Sequence, residues 1–209
     1  MPHIVLLGDS IFDNRAYTSG EPDVITHLQN VLPDTWTATL LAVDGATTRG
    51  VPSQTERVPE EATHLAVSVG GNDALANIDL LSMPARSTGD ALALFGARVE
   101  EFEAQYRGAL APVARLRREL TLCTIYNGAL PDRQEAALAR IALMLFNDAI
   151  VRAAFDLHAS LVDLRLVCSE PADYANPIEP SGPGGLKIAR AVARAAGAIP
   201  GGATTTVFT

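Results

Sequence analysis

Basic residues are in the minority in this chain: 16 Lys and Arg stand against 24 Asp and Glu, for a net charge of −8. Sequence-independent nucleic-acid binding needs basic surface, so that function class is excluded, and no polybasic patch faces an anionic membrane. Cysteine is nearly missing. Cys123 and Cys168 cannot build a disulfide framework and read as two buried, reduced thiols. No apolar run reaches the ~18 residues that suggest a membrane span. The opening Met-Pro-His passes straight into a strand with neither the basic segment nor the apolar stretch of a secretory leader, so a cytoplasmic protein is expected. Repeats, low-complexity tracts and linkers are absent too. What remains is 48% hydrophobic and 19% charged, an ordinary globular composition, and one domain is expected over residues 1–199 with a tail at 200–209.

Short apolar runs bounded by turn residues read as strands at 3–7, 36–43, 65–69, 121–126 and 161–164. Helical spacing of apolar residues predicts helices at 23–31, along a stripe through Phe95, Val99, Phe102, Tyr106 and Leu110, at 130–158 and at 184–196. The aromatic stripe reads as core packing. In the 130–158 helix the apolar positions include Leu138, Ile141, Leu145, Ala149 and Phe155. Residues 50–59 read as a connection, 79–89 as irregular, and 170–182 as a Pro-rich loop. The alternation of strand and helix predicts an α/β fold: a parallel sheet with helices on both faces.

Three strand exits carry polar clusters. The first run ends in Gly8-Asp9-Ser10-Ile11-Phe12-Asp13-Asn14, the second in Asp44-Gly45-Ala46, the third in Gly70-Gly71-Asn72-Asp73. Ligands of open α/β sheets bind outside the carboxyl ends of the strands, so the three clusters share a plausible rim. Taken singly, Ser10 reads as a cap, Gly45 as a turn and Asn72 as an Asx-turn former. The three blocks together, in this order and context, resemble those of the SGNH (GDSL-type) hydrolases over nearly the whole chain. The resemblance implies a three-layer flavodoxin-like sheet of five strands in the order 2-1-3-4-5. It also implies an esterase or lipase-like acyl hydrolase with Ser10 as nucleophile. The oxyanion donors would be the backbone N–H groups of Ser10 and Gly45 and the side-chain amide of Asn72, because the negative oxygen formed on attack needs fixed donors. Asp9 and Asp13 flank the serine. A metal is one use for paired acids, but bonding loop amides to fix the nucleophile loop is the preferred role, and no metal or cofactor is expected. The expected partner is a small-molecule ester; the sequence leaves oligomeric state open.

The pattern breaks at one block. Where the family carries Asp-x-x-His before the last helix, this chain reads Asn176-Pro177-Ile178-Glu179, followed by Pro180-Ser181-Gly182. The four histidines offer no substitute. His3, His64 and His158 lie at or before strand starts, about 15 Å of strand away from the rim, and His27 lies on the first helix. Glu179 is therefore the expected base, with a pKa lifted by burial from about 4.3 so that it can accept the serine proton. Protonation would leave it neutral, so an orienting aspartate is unnecessary, and Asn176 is expected to hydrogen-bond it without repulsion. The alternative is a catalytically altered or inactive protein of the same fold that binds a small ester, acyl or carbohydrate ligand; acyl transfer is a third possibility.

Overall fold

The apolar runs form five parallel strands: β1 (His3–Gly8), β2 (Thr37–Leu40), β3 (His64–Ser68), β4 (Glu119–Cys123) and β5 (Ser160–Val162). The structure, a computed structural model, describes residues 1–201; the expected tail lies from residue 202 onward outside the described residues. Strand order is β2-β1-β3-β4-β5, the order the family resemblance implies. Every residue of β1 is buried, as a central strand covered on both faces must be.

Alternation along β1 sorts the two cores. Val5 and Leu7 point to one face, against Phe102, Tyr106 and Leu110 of α4 (Thr88–Arg115) and Phe146 and Ile150 of α5 (Arg133–Asp156). Ile4 and Leu6 point to the other, against Val24 and Leu28 of α1 (Val24–Val31) and Ile188 and Val192 of α7 (Gly182–Ala195). A period of two along the strand therefore meets a period near 3.6 along each helix. Each fully buried Leu, Ile or Phe contributes roughly 1.5–3 kcal/mol. Short helices α2 (Val51–Thr55), α3 (Gly71–Leu75) and α6 (Leu164–Val167) complete the connections. Among the described residues no helix is long and apolar enough to cross a membrane.

Several boundaries differ from expectation. The second strand stops at Leu40 because the N–H groups of Leu41 and Ala42 both converge on the Leu6 carbonyl, which lifts the chain off the ladder. The fourth stops at Cys123; beyond it the Asn147 side chain takes both the N–H and the C=O of Ile125 (2.7 and 2.8 Å), replacing a strand partner. The fifth stops at Val162, where Asp163 caps α6 by accepting from the Arg165 N–H. The segment 79–89 is not wholly irregular: it overlaps a 3-10 turn at Ile78–Leu81 and holds the start of α4, capped by Ser87.

Two further corrections bear on function. The segment 170–182 is not a loop but a 3-10 turn followed by an antiparallel hairpin, β6 (Tyr174–Asn176) and β7 (Glu179–Pro180). Its anchor is Asp173, which accepts from the Glu170 N–H and pairs with Lys187 of α7 while itself buried. On α5 the expected apolar stripe is only partly the packed one. Ala149 is buried, but Leu138, Ile141, Leu145 and Phe155 are exposed, and the core seam runs Phe146, Ala149, Ile150, Ala153 and Ala154. Ile141, Leu145 and Phe155 share the helix's outer face with the exposed Asp148 and Arg152, and length sets where Leu138 lies. At 24 residues α5 is about 36 Å long, against about 17 Å for a five-residue strand. Its first half overhangs the carboxyl edge of the sheet.

Candidate active site

Gly8 opens the site. Its φ is +126°, and a Cβ placed there would run into the carbonyl of Ser68 on β3, so the position requires glycine. Gln54 of α2 holds this residue twice, accepting from the Gly8 N–H at 2.7 Å and donating to the Gly8 carbonyl at 2.8 Å. The Asp9 N–H donates to the Ser68 carbonyl, and the N–H groups of Phe12 and Asp13 both return to the Asp9 carbonyl. A tight loop thus holds Ser10 at the strand exit, only 6% exposed.

The hairpin brings the acid to it. Ser10 Oγ donates to Glu179 Oε1 at 3.1 Å. Both carbonyls flanking Glu179 are gripped: the Tyr126 hydroxyl donates to Ile178 O at 2.6 Å, and Asn14 Nδ2 donates to Pro180 O at 3.1 Å. Asn14 also accepts the Val24 N–H at 2.9 Å, so one buried side chain joins the nucleophile loop, α1 and the hairpin. Glu179 Oε2 is buried without a hydrogen-bond partner. Burial pushes the Glu179 carboxyl up to about 7, against the pull of the Ser10 hydrogen bond and with help from the nearby Asp44 charge. Asp9 is pushed up to about 8, chiefly by burial; the Ile11 N–H at its Oδ1 opposes this, and the charges of Glu179 and Asp73 add to it.

Asn176 does not contact the Glu179 carboxylate as expected. Its Oδ1 accepts the backbone N–H groups of Ile178 and Glu179, both at 3.0 Å; the Pro177 position between them makes a tight turn that a side-chain acceptor closes. Asn72 lines the same cavity as Ser10 and Glu179. One of its amide hydrogens goes to the Ala46 carbonyl at 2.8 Å, which leaves the other for a ligand. Gly45 sits in an exposed turn with φ +74° and is not part of the cavity wall. Asp13 accepts the Asp44 N–H at 2.9 Å, and the Tyr17 hydroxyl donates to the Asp44 carboxylate. None of the four histidines lines the cavity. Among the described residues no group of three or more His, Cys, Asp or Glu is arranged to hold a metal ion. Cys123 and Cys168 are free and buried.

Four residues of the site framework escaped sequence reasoning: Gln54, Asn14, Tyr126 and Asp73, whose carboxylate accepts the Thr48 N–H and hydroxyl. Asn14 and Asp73 lie inside the quoted motif blocks, where polarity next to a strand exit was a usable signal. Gln54 carried none.

The cavity itself has a volume of about 430 Å³. Ser10 and Glu179 stand at a polar end; elsewhere the wall is apolar and comes from α3, α4 and α5. Phe95, expected in the core stripe, belongs to this wall, while Phe102 and Tyr106 pack in the core. Asn127, Gly128 and Leu130 after the fourth strand, and Leu81 and Ser82, also contribute to the wall.

A model of the GDSL-like lipase/acylhydrolase family matches residues 6–184. Solved structures similar in fold include the extracellular lipase from Streptomyces rimosus (16% identity, TM-score 0.66, covering 93% of this chain and 100% of that one). The lipase Lip_vut3 from a goat rumen metagenome is 17% identical with a TM-score of 0.71, over 93% and 97% of the two chains. A single-substitution variant of an acetyl-xylooligosaccharide esterase from Geobacillus Stearmophilus is 20% identical with a TM-score of 0.64, over 94% of each chain. Comparison with curated protein sequences found no match.

Proposed function

Since this chain belongs to the GDSL-like lipase/acylhydrolase family of ester hydrolases, we propose that Ser10 is its nucleophile and that Glu179, in place of a histidine, is the base that activates it. The observation that carries this is the 3.1 Å hydrogen bond from Ser10 Oγ to Glu179 Oε1. A base titrating near 7 is matched to work at neutral pH.

In this reading Ser10 Oγ attacks the acyl carbon as its proton passes to Glu179 Oε1. The carbonyl oxygen becomes an oxyanion, met by the Ser10 N–H and the spare amide hydrogen of Asn72; Gly45, the third expected donor, lies outside the cavity wall. Glu179 then gives its proton to the leaving alkoxide, and an acyl-serine remains. Water repeats the cycle: Glu179 takes its proton, the acid leaves, and the proton returns to Ser10. Glutamic acid is neutral at the midpoint of each half, so no cation has to be balanced. That is why Asn176 is free to serve as a turn-former. Asp9 and Asp13 hold the loop through the Ile11 and Asp44 N–H groups. The same reading takes a small-molecule ester as partner, residues 1–199 as one domain, and a cytoplasmic location, supported by two free, buried thiols.

Hydrolysis of p-nitrophenyl esters by the wild type and Ser10→Ala tests it. The expected result is turnover that falls at least ~1,000-fold in Ser10→Ala. Turnover unchanged by that substitution would overturn the assignment, and its absence in the wild type would favour the ligand-binding alternative.

A further inference from the structure

The catalytic assignment uses the polar end of the cavity and leaves its larger part without a role. That part lies under the overhanging first half of α5. Phe146 is buried at 2% exposure, whereas Leu138 at 41% and Ile78 at 62% stand open to solvent, so the apolar wall grades from closed to open. A volume near 430 Å³ falls in the range of about 300–1,000 Å³ that accommodates drug-sized ligands and is far more than an acetyl group fills. Two small residues on successive turns of α5, Ala139 and Ala142, face this space. Charge gives a second constraint. The charged residues lining the cavity are Asp9, Glu135 and Glu179, all acidic, with no Lys, Arg or His beside them. An anionic group entering here would lose its water without finding a cation.

Resting on the hydrolytic reading of Ser10, we infer that the substrate is an ester of a linear acyl chain, on the order of six to twelve carbons, with an uncharged alcohol. Ala139 and Ala142 set the length of chain admitted. Burying one methylene is worth about fourfold in binding, and six of them separate acetate from octanoate. Even with most of that lost to imperfect burial, the preference is large.

The test is kcat/KM for p-nitrophenyl acetate, butyrate, octanoate and dodecanoate, together with the matched pair 1-octanoylglycerol and 1-octanoylglycerol 3-phosphate. The expected rise from acetate to octanoate is about 100-fold or more, and the phosphorylated ester is expected to be about 10-fold or more poorer than its neutral partner. Ala142→Phe should cut the octanoate-to-acetate ratio by about 10-fold or more; Ala139→Phe, at the second small position, should do the same if the first variant folds poorly. An acetate optimum, an equal rate for the charged ester, or an unchanged ratio in both folded variants would overturn the inference. Binding to Ser10→Ala separates it from the catalytic reading. In that protein 1-octanol should bind at least about 10-fold more tightly than 1-butanol whether or not Ser10 is the nucleophile, and equal binding would sink the chain-length inference alone.

Discussion

The two sides of the cavity are built on opposite principles. At the Ser10–Glu179 end nearly every polar group has a named partner: Gln54 on Gly8, Asn14 and Tyr126 on the carbonyls around Glu179, Asn176 on the turn. On the α5 side the wall, Glu135 aside, is made of apolar side chains without such ties, and several of its neighbours are exposed. The difference teaches where tolerance resides. A position fixed by buried hydrogen bonds cannot shift without orphaning a partner, at about 1–3 kcal/mol for each group left unsatisfied. A wall held by dispersion alone can be remodelled one side chain at a time.

The strongest way to break the contrast is Glu179→Gln. The variant keeps the shape and loses the base, so kcat/KM should fall about 100- to 10,000-fold, measured by steady-state hydrolysis. Under the proposed mechanism only the carboxylate accepts the serine proton. Activity should therefore rise with pH through about 7 and level off above it, and this limb should vanish in the variant. A limb that survives would transfer the titration to another group.

Next in size is Asn14→Ala. It frees the Pro180 carbonyl and the Val24 N–H together, and should cost about 2–4 kcal/mol in denaturant unfolding. It should also lower kcat more than it raises KM, because Glu179 loses its register on Ser10; a change in KM alone would make Asn14 a mere prop. The smallest effect belongs to the other side. Leu138→Ser trims a half-exposed apolar residue of that wall, and stability should move by no more than about 1 kcal/mol. A loss as large as that of Asn14→Ala would erase the distinction between the two sides.

What could be read in advance follows the same division. The sheet was legible because each strand is a short apolar run, and the resemblance supplied its order. The meeting of Ser10 with Glu179 was legible because both stand at block positions with a known order along the chain. The hairpin was not, since its two short strands are held by Asn14 and Tyr126, which are distant in sequence. Nor was the role of Asn176, whose spacing to Glu179 fits a side-chain partner as well as a turn. The α5 face was misread because helical spacing marks which residues are apolar, not which of two neighbouring stripes turns toward the sheet. Phe95 belongs with that error: it shares a stripe with Phe102 and Tyr106 but lies nearer the start of α4, at the cavity.

The fit of Gly8 against Ser68 has a dynamic corollary. With the Gly8 amide on Gln54 and the Asp9 amide on the Ser68 carbonyl, the nucleophile rides on the central strands rather than on an independent flap. Solvent deuterium should reach those two amides only when the sheet itself comes apart, on the slow timescale of global unfolding, while the overhang of α5, with no strand beneath it, is left to breathe on its own.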